Sequence, residues 1–230
     1  MLYRSVIMAA DEKQEVFRQS RFLLKAADRP LIDWVLDAAK TAGAESCTVV
    51  TGARGDAIKA HLGDAADCAA AGEDFSIASV LDGIPKAQTG SVLVLFGDRP
   101  TLKGETLQAA LAAHEKKRCA ATVICAAKTV GFTGEEMEAA SFAAAYLFDI
   151  GALRRIAAHA DRLTKAECPF AAAVQQMLQN GAAVEISPAD REEGIAVTDR
   201  ILFAEADAIL NRRTVHDLMR RGAIVLNPDS

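Results

Sequence analysis

The 230-residue sequence predicts an α/β fold: a mostly parallel sheet with helices on both faces. Three observations carry this. Short apolar runs alternate along the chain with segments of helical periodicity. The runs are apolar at consecutive positions, as expected of strands covered on both sides. The clearest of them, Leu93-Val-Leu-Phe96, stops at Gly97-Asp98-Arg99-Pro100, which places a carboxylate just past a strand's carboxyl end. Open α/β sheets bind their ligands there.

The elements follow in order. Ser5 to Ala10 reads as a first strand. Pro30 to Ala42 has Leu31, Ile32, Val35, Leu36 and Ala39 at amphipathic spacing and closes at Gly43, so it reads as a helix. Ser46 to Val50 is a second strand ended by Gly52, and Asp56 to Leu62 a second helix. Phe75 to Val80 begins either a helix or a short strand. Ser91 to Phe96 is the central strand; Gly97 gives its end a sharp turn and Pro100 prevents its continuation. Thr106 to Lys117 is a helix with Leu107, Ala110, Leu111 and His114 along one side, and Ala120 to Cys125 another buried strand. Ala143 to Phe148 reads as one more strand. Gly151–Ala160 and Ala171–Asn180 are helical, and Ala183–Ile186 is a short edge strand. A charged helix runs from Ile201 to Arg221, capped by Gly222 and followed by an extended Ile224–Leu226 tail. The expected organisation is one domain over 1–200 and a terminal helical arm over 201–230.

Composition narrows the function classes. Lys and Arg total 26 against 31 Asp and Glu, a formal charge of −5, and no basic block gathers phosphate-binding charge, so no nucleic-acid partner is expected. No apolar run approaches the length of a membrane span, and Met1-Leu2-Tyr3-Arg4 does not open a signal peptide, so a cytoplasmic protein is expected. The five cysteines show no metal or redox spacing and read as reduced structural thiols. The four histidines, His61, His114, His159 and His216, are expected at the surface. Asp98 is the candidate for chemistry: a carboxylate there suits a magnesium ion carrying nucleotide phosphates, while the alternative is a cap on the next helix.

Four segments, Val6–Ala10, Arg29–Gly52, Leu93–Leu107 and Glu193–Pro228, together resemble the sugar-nucleotide pyrophosphorylases. The likeness is strongest to the uridylyltransferase domain of bifunctional N-acetylglucosamine-1-phosphate uridylyltransferase/acetyltransferases. Arg29-Pro-Leu-Ile-Asp-Trp34 looks like the helix after that family's G-K-P-M. Phe96-Gly-Asp-Arg-Pro-Thr-Leu102 looks like its G-D-x-P-L region, and Val197-Thr-Asp-Arg200 stands where V-N-D-R is expected. The resemblance implies a Rossmann-like (GT-A type) nucleotidyltransferase fold, a nucleoside triphosphate or sugar nucleotide as ligand, and Mg2+ as cofactor. Residue by residue, it implies nucleotide contacts at Ala9, Ala10, Asp11, Lys13 and Gly97, catalytic roles for Arg21 and Asp98, and metal ligation by Asp98 and Asp199. The family's acetyltransferase β-helix begins where this sequence stops, so no acetyltransferase is expected.

The departures are chemical. The family's glycine-rich loop L-A-A-G-x-G-x-R-M is here Met8-Ala-Ala-Asp-Glu-Lys-Gln-Glu-Val16, without glycine or arginine and with the carboxylates Asp11, Glu12 and Glu15. Glycines let backbone N–H groups approach phosphate, and the arginine adds a charged fork; carboxylates repel it. The family's P-K is Ser20-Arg21. The base-reading segment offers only Glu73 to Val80, and the sugar-reading E-x-N-T-G is Ala140-Ser-Phe-Ala-Ala144. Thr198 replaces the metal-sharing asparagine. The expectation is a degenerate transferase with lost or strongly reduced activity that keeps nucleotide or partner binding. One alternative is an active, divergent transferase using Asp98 and Asp199 for magnesium and Arg21 for the α-phosphate, assisted by Lys13 or Lys25. Another is an assembly protein in which the terminal helix, with Arg212-Arg213 and Arg220-Arg221, engages a protein partner or a second copy.

Overall fold

Seven strands form one sheet in the order β5-β4-β1-β6-β8-β7-β9. They are β1 (Arg4–Ala9), β4 (Ser46–Thr51), β5 (Asp67–Ala70), β6 (Ser91–Phe96), β7 (Ala121–Cys125), β8 (Ala145–Asp149) and β9 (Val184–Pro188). A separate two-stranded hairpin joins β2 (Lys25–Ala26) to β3 (Arg29–Pro30). The helices are α1 (Leu31–Thr41), α2 (Gly55–Leu62), α3 (Ile77–Asp82), α4 (Gly104–Lys117), α5 (Ile150–Ala157), α6 (Pro169–Gln179) and α7 (Arg200–Arg220). The computed structural model describes residues 3–10, 20–52, 55–70, 76–126, 143–158 and 168–226.

Both faces of the sheet are buried, which explains the continuous apolar runs. Val6 and Met8 of β1, and Val92 and Val94 of β6, pack into a core with α3, α5 and α6. Their neighbours Ile7, Ala9, Leu93 and Leu95 point to the opposite core, under α1, α2 and α4. Gly104 lets α4 begin against the end of α1: a Cβ there would lie 2.4 Å from Thr41 Cβ. A third, smaller cluster of Ala26, Leu31, Val197, Ala206 and Leu210 fastens α7 to the hairpin.

The structure departs from the sequence expectations at three places and decides between two readings at a fourth. β6 is parallel to β1 but antiparallel to β8, so the central strand is parallel on one side only. β5, an edge strand of sequence Asp-Cys-Ala-Ala, has no β-branched or aromatic residue to signal it. Ile77 to Asp82 is helical, with the Ser76 hydroxyl accepting from Ser79 N–H as its N-cap. His114 is not a surface residue: it is 2% exposed, and its Nδ1 stands 2.8 Å from the Thr122 hydroxyl of β7. His61 and His216 are exposed, as expected, and His159 lies outside the described residues.

The hairpin turn, Ala27-Asp28, has φ of +47° and +62°, the left-handed pair of a type I′ turn. Neither residue is glycine. The turn is held from outside: Ala27 N–H donates to Asp207 Oδ1 of α7 over 2.7 Å, and Trp34 Nε1–H to the Ala26 carbonyl over 3.0 Å. Asp28→Gly relieves the left-handed residue and is expected to stabilise the protein by about 0.5–1 kcal/mol, a rise of roughly 1–4 °C in Tm.

Burial disfavours the charged His114 ring and holds its pKa below the ordinary histidine value. The unfolded ring takes up its proton near pH ~6.5, before the folded one does. Stability attributable to His114 is therefore intact above that pH and is lost as pH falls through the folded value. Urea unfolding at pH 7.5 and pH 5.5 should show this loss in the native protein and a smaller one in His114→Gln.

Candidate functional site

The chain's chemistry gathers at the carboxyl end of β6. Gly97 N–H donates to the Met8 carbonyl over 2.8 Å and carries the β1–β6 ladder one step past Phe96. Space rather than a left-handed φ requires glycine here: a Cβ would meet a Phe22 ring carbon at 3.0 Å and Ile32 Cδ1 at 3.1 Å. The sharp turn expected of Gly97 is also present, with Arg99 N–H donating to the Phe96 carbonyl over 3.1 Å.

Asp98 follows. Its Oδ2 lies 3.2 Å from Nη2 of Arg21, with the two side chains 13% and 19% exposed. Arg21 opens a single 3-10 turn, Arg21–Leu23, that is anchored by buried Phe22, and its guanidinium lies 5.2 Å above that ring. A pair this sheltered is screened by salt far less than a surface pair.

A second loop is laid against the first. Val197 N–H donates to the Asp98 carbonyl over 2.8 Å, bringing Val197 to Asp199 alongside. The Asp199 carboxylate caps α7: Oδ1 accepts from Ile201 N–H at 2.8 Å and Leu202 N–H at 2.9 Å. Upstream, Glu193 is 1% exposed. Its Oε2 accepts from Lys103 N–H at 2.9 Å, and its Oε1 from the Thr106 hydroxyl at 3.0 Å and Asp190 N–H at 3.4 Å. The Lys103 ammonium pairs with Asp190, which raises the lysine above its ordinary range and lowers the aspartate below its own. Arg99 donates from Nη1 to the Gly194 carbonyl at 3.2 Å and lies over the Phe96 ring. From α7, Arg213 donates to the Thr101 carbonyl and Arg212 pairs with Glu192, so this stretch of the helix clasps both loops.

Of the residues singled out from sequence, Arg21, Gly97 and Asp98 come together here, with Asp199 on the adjoining loop. Ala9 and Ala10 are buried at the end of β1, so their side chains are closed to a ligand. Lys25 is exposed on β2. Asp11 and Lys13 lie outside the described residues. The sequence reading overlooked Glu193 and Arg99. The Asp190-x-x-Glu193 capping box was visible as a motif, but its burial against α4 was not. Where the family's sugar-reading side chains are expected, Ala143 and Ala144 are buried, and the rings of Phe96, Tyr146 and Phe170 pack at 5.5–6.2 Å. Among the described residues, no helix is long and apolar enough to cross a membrane.

A mostly parallel seven-stranded sheet flanked by helices is the framework shared with solved nucleotidyltransferases. The chain belongs to the family of MobA-like NTP transferase domains, whose model matches residues 5–225. The bifunctional protein GlmU of Cutibacterium acnes is 29% identical over 252 residues, taking in 92% of this chain and 59% of that protein. Its counterpart from Pelobacter propionicus is 30% identical over 240 residues, taking in 88% and 51%. The chain therefore spans between half and three-fifths of the length of these curated relatives. A nucleotidyl transferase from Methanothermobacter thermautotroptrophicus shares the fold, with a TM-score of 0.69 and 19% identity over 93% of this chain and 99% of that one.

The resemblance implies magnesium at Asp98 and Asp199, and the residues as placed do not fit it. The Asp98 carboxylate already faces a guanidinium, and Asp199 Oδ1 is committed to two backbone amides. Among the described residues, no group of three His, Cys, Asp or Glu is placed to hold a metal. A divalent ion on Asp98 would stand within about 5 Å of Arg21 and be repelled by several kcal/mol at an effective dielectric near ~20.

Glu193→Ala would leave the Lys103 amide and the Thr106 hydroxyl buried without their acceptor. It is expected to cost about 3 kcal/mol, a fall of roughly 6–12 °C in Tm, with Glu193→Gln losing less. Calorimetry of the two variants checks this.

Proposed function

We propose that this chain is a nucleotide-binding member of its family with lost or strongly reduced sugar-1-phosphate uridylyltransferase activity. The observation that carries the reading is the Arg21–Asp98 pair. Arg21 keeps a cation for phosphate at the carboxyl edge of the sheet, while the acidic segment Asp11 to Glu15 removes the others that transfer needs.

In the transfer itself, an oxygen of the sugar 1-phosphate attacks the α-phosphorus of the nucleoside triphosphate and pyrophosphate leaves. Almost all of the acceleration comes from positioning and from neutralising charge on the phosphates. If each lost phosphate donor weakens the transition state by about 3 kcal/mol, two losses slow the step by roughly four powers of ten. Binding tolerates such losses better, because ground-state affinity does not need every charge that the transition state needs neutralised. The apolar packing of Phe96, Tyr146 and Phe170 offers little to the hydroxyls of a hexosamine.

A second reading, an active transferase with a different phosphorylated acceptor, is favoured by the Val197–Asp98 hydrogen bond, which keeps the family's two site loops side by side. One experiment separates the two. Pyrophosphate release from UTP and N-acetylglucosamine 1-phosphate is expected to stay at background while UTP raises the Tm. Robust release from that pair would overturn the loss of activity, and release that appears only with another phosphorylated acceptor and that Asp98→Ala abolishes would establish the second reading instead.

A further inference from the structure

We propose a second ligand site at the edge of the sheet opposite Asp98: a cavity in which Arg118 and Arg155 bind the oxyanion, phosphate or carboxylate, of a small hydroxylated molecule. The site is separate from the nucleotide-binding reading, and neither stands or falls with the other.

The cavity, about 530 Å³, lies where β6 begins and β8 ends, with Ser91 and Asp149 in its wall. The length of β6, roughly 20 Å, separates it from Gly97 and Asp98. A compact organic ligand fills a space of this size. The end of α4 supplies His114, Glu115 and Arg118 to the wall, and α5 supplies Arg155.

Three observations point to an anion. The guanidinium groups of Arg118 and Arg155 make no hydrogen bond or ion pair with the described residues. Arg154, next to one of them, is by contrast spent on the Pro85 and Gln88 carbonyls. Arg155 reaches back over the first turn of α5, where its Nη1 stands 3.5 Å from the place a Cβ on Gly151 would take. A guanidinium is always protonated, and its fork matches the oxygens of a carboxylate or phosphate.

The second observation is the backbone of Arg118. It closes α4 with φ of +52°, its N–H donating to the Glu115 carbonyl and Cys119 N–H to the His114 carbonyl, both at 3.1 Å. Glycine serves such a position without strain, whereas an arginine carries strain and sets a cation at the cavity wall. The third is His114, 2% exposed, whose Nδ1 stands 2.8 Å from the Thr122 hydroxyl. Its Nε2 has no partner among the described residues. With the hydroxyl donating to Nδ1, Nε2 carries the ring proton and donates to a ligand oxygen.

Two carboxylates share the wall and define the rest of the ligand. Asp149 Oδ1 accepts from Ala152 N–H at 2.7 Å as the cap of α5, and Glu115 lies one turn before Arg118. They balance the two arginines, so a bare anion gains little there. A molecule that adds hydroxyl groups to its oxyanion gives these carboxylates donors as well.

The test is titration of the protein with glycerol 3-phosphate and, separately, with citrate, at pH 7.5 and fixed ionic strength. The His114 ring resonances, assigned by their loss in His114→Gln, report the cavity. They are expected to shift to saturation with at least one of the two, which also tells phosphate from carboxylate. Arg118→Gly and Arg155→Gln should each raise the Kd by about tenfold or more. Arg118→Gly also removes the strain, so its Tm is expected to hold or rise and its lost binding is not lost folding. Shifts that grow linearly and match those of sodium chloride overturn the proposal. Saturation that either variant leaves unchanged overturns the paired-arginine site. Binding of UTP, followed by Tm, is expected to be the same in both variants; a loss of it would merge this cavity with the nucleotide site and overturn a second one.

Discussion

The burial of one carboxylate, Glu193, orders everything around the site. An ion taken out of water costs several kcal/mol unless its oxygens are filled, and Glu193 fills them with donors from Lys103, Thr106 and Asp190. Those donors belong to two segments some ninety residues apart, the start of α4 and the turn before Val197. Neither can shift without stranding the charge. Through Val197 N–H and the Asp98 carbonyl, the same constraint reaches the end of β6. Both loops, the helix they begin and the aspartate they present therefore behave as one rigid piece.

Fold and chemistry depend on different residues in this chain. The scaffold is secured by the alternating faces of β1, β4 and β6 and by the helices that cover them. Those side chains are apolar and buried in the two cores. Phosphate chemistry needs cations and backbone amides, and in this sequence the segment that follows Ala10 carries Asp11, Glu12 and Glu15. A shared scaffold therefore says little about catalysis; the charges at its edge decide that.

The same division governs what the sequence discloses. α1, α4, β1 and β6 were legible because each buries a regular set of residues, so the apolar period appears along the chain. β5 was not, since four small or polar residues at a sheet edge follow no period. The antiparallel sense of β8 was hidden because an apolar run is the same read in either direction. His114 fell in line with Leu107, Ala110 and Leu111, and that alignment was the signal of its burial. Within the site, Arg21 and Asp98 were identified singly, but their contact joins positions 77 apart and leaves no trace in local pattern. The contacts of Arg212 with Glu192 and of Arg213 with Thr101 were hidden for the same reason.

The hydrogen bond from Ala27 to Asp207 joins residues 180 positions apart. Contacts of such separation form late, because a long loop must close before they repay its entropy. During synthesis, β1, the hairpin and α1 leave the ribosome well before α7 exists. The left-handed turn that precedes α1 thus waits for its acceptor until 180 further residues have been made. This corner of the fold is complete only when α7 folds back onto the hairpin, so the two segments depend on one another across most of the domain.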